Sequence, residues 1–165
     1  MPEEKRTVTD FVARFKKKYP MTVGWRYKKN SRVVEKHLNE GEEVLYAFIA
    51  QKNDNPFHIF ETCVVALTTE RILIGRKRVV FGYFIDSVTP EMFNDLKIVG
   101  SIIWGKVMID TVKEFIVLSN ISKRALPEIY SQVSNYMHIM KKRISKADEN
   151  DKEENESWKY RLFFL

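Results

Sequence analysis

The residue types that carry most enzyme chemistry are sparse in this chain and are not grouped in its sequence. The single cysteine, Cys63, lies in the apolar run Thr-Cys-Val-Val-Ala, where burial would raise its thiol pKa and leave it unreactive. The histidines at positions 37, 58 and 138 are far apart and match no zinc-binding spacing. Asp54 lacks the EF-hand spacing, and the six glycines form no phosphate-binding fingerprint. We therefore predict no metal site, no cofactor, no small-molecule substrate and no enzymatic activity.

The strongest chemical signal is a group of cations near the N-terminus. Residues 1–36 hold eleven lysines and arginines against four carboxylates, whereas residues 37–140 hold ten against twelve. Because the folded body has no basic excess, nucleic acid is a poorer partner than the pI of 9.3 would suggest. Cations beside Tyr19, Trp25 and Tyr27 suit an anionic membrane surface. The membrane candidates are Lys16, Lys17, Lys18, Arg26, Lys28, Lys29 and Arg32.

The C-terminus supplies a second candidate, for protein interaction. Trp158, Tyr160, Leu162 and Phe164 alternate with their neighbours at a period of two, and we predict residues 145–157, which are nearly all polar, to be a disordered spacer. The tail could add a strand to a sheet edge of its own or a neighbouring molecule, or it could fold back on an apolar surface. The sequence leaves these alternatives open.

Helices are predicted at both ends of the chain. Val8, Phe11, Val12 and Phe15 line one helix face, and Thr7 with Asp10 resembles a capping box. This face could dock on the body, with the lysines merely solvated. A second short helix is predicted around residues 31–38. A long amphipathic helix is predicted over residues 126–144, with Pro127 in its first turn.

Between the helices the sequence predicts seven strands at the spacing of antiparallel sheets. They are residues 44–50, 58–67, 71–76, 79–85, 92–99, 101–109 and 112–118. The charged N-terminus and the single cysteine favour a cytoplasmic protein, with the membrane surface as an alternative location.

Short motifs add a resemblance to this pattern. Gly41-Glu-Glu-Val-Leu-Tyr-Ala, Ala66-Leu-Thr-Thr-Glu-Arg-Ile-Leu-Ile, Ile85-Asp-Ser-Val, Gly105-Lys-Val-Met-Ile-Asp-Thr and Asn120-Ile-Ser-Lys follow one another along the chain. In order and spacing they resemble the bacterial pleckstrin-homology (PH) domains, and the YokE-like subgroup in particular. The resemblance covers about residues 41–140.

The resemblance implies a mainly β (α+β) fold, a PH-like seven-stranded antiparallel barrel with a C-terminal helix, here preceded by an N-terminal helical extension. The expected divisions are residues 1–40, 41–144 and 145–165. Phosphoinositide-binding members place several cations on and between the first two strands, where this chain has only Lys52, beside Asp54. Several bacterial PH-like domains are oligomers. The expected function is therefore non-catalytic protein–protein interaction or homo-oligomerisation, with peripheral binding to anionic membrane through the basic arm as the alternative.

Overall fold

The computed structural model describes residues 5–55 and 57–163, and for residues 154–163 it describes the backbone alone. Two helices, α1 (Val8–Lys18) and α2 (Tyr27–Glu35), precede a seven-stranded sheet, and a long helix, α3 (Leu126–Phe163), follows it. The strands are β1 (Val44–Gln51), β2 (Thr62–Thr68), β3 (Ile72–Lys77), β4 (Tyr83–Val88), β5 (Phe93–Gly100), β6 (Trp104–Thr111) and β7 (Phe115–Ser122).

The sheet is antiparallel and has the strand order β4-β3-β2-β1-β7-β6-β5. Its two halves meet where Gln51 of β1 lies opposite Ser119 of β7. β4 and β5 are the two edge strands of this order, and they do not pair with each other. The curled sheet is therefore a half-barrel and not a closed barrel. The predicted PH-like α+β fold with helices at both ends is confirmed.

The N-terminal helices pack on the sheet, as the docking interpretation predicts. The capping box of α1 forms, because the Thr7 hydroxyl accepts the Asp10 N–H and the Asp10 carboxylate accepts the Thr7 N–H. Val8, Val12 and Phe15 are buried against the core, and the Phe15 ring lies 6.0 Å from that of Phe48 in β1. α2 covers β3 and β2 on the same side of the molecule.

Four predicted strands begin too early in the sequence. The segments predicted to start at residues 58, 79, 101 and 112 become strands only at Thr62, Tyr83, Trp104 and Phe115. Before β4 the chain makes a turn, in which Gly82 has a φ of +80° and its carbonyl accepts the Arg78 N–H at 3.0 Å. That left-handed backbone favours glycine and ends the continuous strand that the apolar run Val79–Phe81 predicted.

The prediction of disorder over residues 145–157 is wrong, because α3 continues through Phe163. The chain contains no glycine or proline after Pro127, and a helix that is already nucleated extends at little cost. Trp158, Tyr160 and Leu162 therefore lie in a helix and not in a strand of period two, while Phe164 lies outside the described residues. No helix in the described part of the chain is long and apolar enough to cross a bilayer.

Candidate functional site

Three connections lie next to one another on a surface that we call the loop end. They join β1 to β2, β3 to β4 and β5 to β6. Phe60 of the first connection shares a cavity of about 510 Å³ with Val80 and Phe81 of the second. Phe57 of the first shares a cavity of about 530 Å³ with Ile102 of the third. The three connections therefore form one continuous surface.

The loop end exposes an unusual amount of apolar side chain. Phe57 is 86% exposed, Phe81 82% and Ile102 89%. Isolated exposed apolar residues are ordinary on a protein surface, but a group on neighbouring loops marks an interaction site. The exposed apolar residues of the loop end are Phe57, Ile59, Phe60, Val79, Val80, Phe81, Ile102 and Ile103.

Two tryptophans lie beside these apolar residues. The Trp25 ring packs edge-on against Phe60 at 5.3 Å, and the Trp104 indole N–H donates to the Met21 carbonyl at 2.7 Å. Both rings are partly exposed. These contacts hold each ring in place, and the exposed part of each ring lies next to the loop tips. Tryptophan commonly takes this position at an interface between water and an apolar phase.

Cations border the loop end on its β3–β4 side. Arg76 pairs with Glu61 at 3.5 Å, and its guanidinium lies over the Phe84 ring at 4.5 Å. Arg78 lies over the same ring at 5.2 Å. Arg78 and Lys77 form no ion pair within the described residues, so their charges are available to an external anion.

A basic groove adjoins this border, between α2 and the β3–β4 hairpin. It has a volume of about 420 Å³, and Lys77 lines both this groove and the cavity of the loop end. Val33 and the rings of His37 and Tyr83, 4.8 Å apart, form its apolar part. No carboxylate is among its described lining residues. Its cations are Arg26, Lys29, Arg32, Lys36 and Lys77.

The sequence of α2 explains why its cations face the groove. Arg26, Lys29 and Arg32 or Val33 recur at steps of three and four, which places them on one helix face, with Lys36 beyond them. Next to this face lies buried Asn30, whose amide donates to the Thr62 carbonyl at 2.9 Å and accepts the Lys77 N–H at 2.8 Å. Asn30 thereby fixes α2 to β2 and β3.

The acidic residue of α2 is held away from the groove. The Glu35 carboxylate accepts both the backbone N–H and the hydroxyl of Thr9, each at 2.9 Å. Beyond the helix, Arg71 donates to the His37 carbonyl and pairs with buried Glu42, both at 3.0 Å. Burial would raise the pKa of Glu42, but hydrogen bonds from Arg71, the Asn39 N–H and Thr68 outweigh it and lower the pKa. These contacts keep the groove free of negative charge.

The structure divides the predicted basic arm into two groups. Arg26, Lys29 and Arg32 come together in the groove. Lys16 instead donates to the carbonyls of Pro20 and Thr22, and Lys18 pairs with Glu128 of α3. Lys17 and Lys28 are exposed and do not line the groove. The arm is therefore not one continuous binding surface.

Three other residues that could carry chemistry are either buried or paired. Cys63 is fully buried, and burial raises its thiol pKa to about 12. Lys52 pairs with Asp86 and Lys106 pairs with Asp54, so each of these two lysines is balanced by a carboxylate. Among the described residues no three His, Cys, Asp or Glu side chains are grouped to hold a metal ion.

Sequence reasoning missed the loop end, as well as Lys36 and Lys77 of the groove. Apart from Phe57, the apolar residues of the loop end were interpreted as strand residues, because periodicity does not distinguish an apolar loop from a buried strand. Lys36 continues the spacing of Arg26, Lys29 and Arg32, so the helix pattern could have included it. Lys77 comes from a strand distant in sequence, and only the fold places it beside α2.

Comparison with known proteins is restricted to the family level. No curated protein and no solved structure matches the chain. A family model for the bacterial PH domain matches residues 38–135, which are more than half of the chain. That segment contains all seven strands and the first turns of α3. PH domains are generally non-catalytic binding modules. With its half-barrel, its C-terminal helix and this match, the chain belongs to the bacterial PH domain family.

Proposed function

We propose that this protein binds peripherally to anionic membranes, with the loop end inserted into the lipid interface. The observation that supports the proposal is the group of eight exposed apolar side chains on three neighbouring loops. Leaving them in water is costly, since full burial of one Phe, Ile or Val side chain is worth about 1.5–3 kcal/mol. Partial insertion of several such side chains is sufficient for reversible membrane binding.

The arrangement of these side chains favours a membrane over a protein partner. They stand at the tips of separate connections, with cavities of about 510 and 530 Å³ between them. A protein interface needs a complementary solid surface that fills such cavities. Fluid lipid adapts its shape to separate protrusions, and the partly exposed Trp25 and Trp104 suit the headgroup level.

The charge beside the loops favours anionic lipid. Lys77 and Arg78 border the loop end without ion pairs in the part of the chain that the structure describes, and the groove cations follow next to them. Each lysine or arginine near an anionic membrane surface adds about 1 kcal/mol. Lys16 and Lys18, which bond within the protein, are not expected to contribute.

The test is flotation with lipid vesicles of phosphatidylcholine, with and without phosphatidylglycerol, at low and high salt. We expect binding that requires the anionic lipid and weakens with salt. Phe57→Ser/Phe81→Ser should reduce partitioning by about tenfold or more. The control, Leu45→Ser/Ile139→Ser, removes two exposed apolar side chains away from the loop end and should leave partitioning unchanged. Equal losses in the two variants, or no binding of the native protein, would refute the proposal.

Self-association is the second candidate, and the observation that favours it is the open edge of β4. β4 ends the strand order, and its side chains from Tyr83 to Ser87 are exposed or half-buried. Such an edge can accept a strand from another molecule. Light scattering gives the mass, and deletion of residues 158–165 separates the edge from the tail as the contact. A clean monomer at high concentration contradicts this candidate. Membership of the YokE-like subgroup also stays a prediction.

A further inference from the structure

We propose that the basic groove between α2 and the β3–β4 hairpin is a binding site for a molecule that carries two or more phosphoryl groups. This proposal does not rest on membrane insertion, because the groove is a separate surface with its own lining. Most of its lining comes from residues 26–37, which are α2 and its flanking residues and lie before the segment that matches the bacterial PH domain. The site therefore belongs to this chain's N-terminal extension.

The charge of the groove favours an external anionic partner. Arg26, Lys29, Arg32, Lys36 and Lys77 line it without a carboxylate, and none of the five forms an ion pair within the described residues. Like charges at these helix spacings destabilise a helix by a few tenths of a kcal/mol per pair. An anion between them would remove this repulsion, so ligand binding should stabilise the fold.

The spread of the cations favours more than one phosphoryl group. From Arg26 to Lys36 the chain advances about 15 Å at the rise of an α-helix. One phosphate is too small to contact cations along this whole length. Two or three linked phosphates can follow the helix, with Arg26 and Arg32 able to form paired hydrogen bonds and the lysines supplying charge.

The remainder of the groove suits the organic part of such a ligand. Its volume of about 420 Å³ lies within the range of small-molecule sites. Buried Val33 and the His37 and Tyr83 rings supply an apolar surface beside the cations. His37 is held at both its side chain and its backbone. Its Nδ1 is 2.6 Å from the Val33 carbonyl, and the His37 carbonyl accepts a hydrogen bond from Arg71.

The phosphoryl groups could come from a soluble compound or from a lipid headgroup, and the experiment separates these sources. The soluble probe is inorganic tripolyphosphate, measured by calorimetry and by thermal unfolding. The lipid probe is a phosphatidylcholine vesicle containing diacylglycerol pyrophosphate, whose headgroup carries two linked phosphoryl groups, compared with one containing phosphatidylglycerol. We expect tripolyphosphate to raise the melting temperature. Tripolyphosphate binding supports the soluble source, and binding only to the vesicle with diacylglycerol pyrophosphate supports the headgroup.

The variants decide whether the groove is responsible. Lys29→Glu/Arg32→Glu reverses two exposed groove cations and should weaken phosphate binding by about tenfold or more. Lys17→Glu/Lys28→Glu makes the same charge change outside the groove and should weaken it less than about twofold. A second groove variant, Lys36→Gln/Lys77→Gln, gives a further measure with a smaller charge change. Circular dichroism confirms that each variant folds.

Two results would overturn the proposal: binding of neither probe, or equal weakening in the groove variant and its control. The loop variant Phe57→Ser/Phe81→Ser keeps the failure of this site distinct from that of membrane insertion. It should bind tripolyphosphate as the native protein does, whatever its behaviour with vesicles.

Discussion

The Tyr19 hydroxyl, just after α1, donates a hydrogen bond of 2.6 Å to the carboxylate of Glu128 at the start of α3. The same carboxylate pairs with Lys18 and accepts the Tyr46 hydroxyl at 3.2 Å. One half-buried acid therefore joins the N-terminal extension, the first strand and the C-terminal helix. Burial would raise the pKa of Glu128, but the hydrogen bonds from Lys18, Tyr19 and Tyr46 outweigh it and lower the pKa.

Glu128→Gln should lower the free energy of unfolding by about 1–3 kcal/mol, because it weakens hydrogen bonds to a charged acceptor. The measurement is urea unfolding at neutral pH. Glu153→Gln, an exposed change on the same helix, serves as the control and should stay within about 0.5 kcal/mol of the native protein.

The difference between native protein and Glu128→Gln should also depend on pH. A carboxylate whose folded pKa is lowered contributes stability fully above its unfolded pKa of about 4.3 and loses it as the pH falls through the folded pKa. The gap between the two unfolding curves should therefore be constant near neutrality and narrow in acid. A gap that widens in acid would mean that Glu128 is not stabilised as its charged form.

Gly75 allows α2 to approach β3, and we expect Gly75→Ala to be destabilising. A Cβ at this position would lie 2.7 Å from Cγ2 of buried Val34 and 3.3 Å from Cγ1 of buried Val33. Valine is stiff, so α2 has to move, at a cost of about 1–3 kcal/mol.

Gly100→Ala is the matched control for Gly75→Ala. At Gly100 the nearest atom to an added Cβ is 3.7 Å away, which is ordinary van der Waals contact. Both variants lose the same flexibility in the unfolded state, so their difference in chemical denaturation isolates the clash with α2. Equal stability of the two variants would show that α2 does not need the close approach. Gly75→Ala should also weaken tripolyphosphate binding, since it displaces the groove.

Sequence reasoning predicted the fold better than the candidate sites. Buried faces repeat with the period of their element, so the apolar face of α1 and the body of each strand were found from spacing alone. The same reasoning counted Val79–Phe81 and Ile102 as strand residues, although the structure exposes them on loops. Strand predictions went wrong where exposed apolar residues lie on the connections, and most of these residues belong to the loop end. The groove could not be predicted from the sequence alone, because Lys77 and α2 are distant in sequence and only the fold brings them together.

Cys63 should not react with an aromatic disulfide reagent in the folded protein. It is fully buried, and since burial raises its pKa to about 12, the thiol stays protonated at neutral pH. In urea one thiol per chain should react, so that labelling reports opening of β2. Cys63→Ala/Ser145→Cys, with its cysteine on an exposed helix position, should react at once and shows that the reagent is active. Fast labelling of native Cys63 would contradict its placement in the core.

The extension of α3 beyond the body should be helical but should add little to the stability of the fold. Residues 145–153 are exposed, whereas Met140 is buried and Ile144 half-buried, so the packed part of the helix ends near residue 144. Deletion of residues 147–165 should reduce the helical circular dichroism signal and leave the midpoint of unfolding almost unchanged. A large loss of stability would mean that the extension packs on the body.

Asn150→Pro distinguishes an exposed helix from a disordered segment with the same composition. Proline inside a helix costs about 3 kcal/mol relative to alanine, and an exposed extension has no tertiary contacts to offset that cost. The full-length variant should therefore lose helical signal beyond residue 146 and keep the unfolding midpoint of the native protein. In a disordered segment the same proline would leave the spectrum unchanged. That result would support the disordered spacer that the polar composition of residues 145–157 predicted.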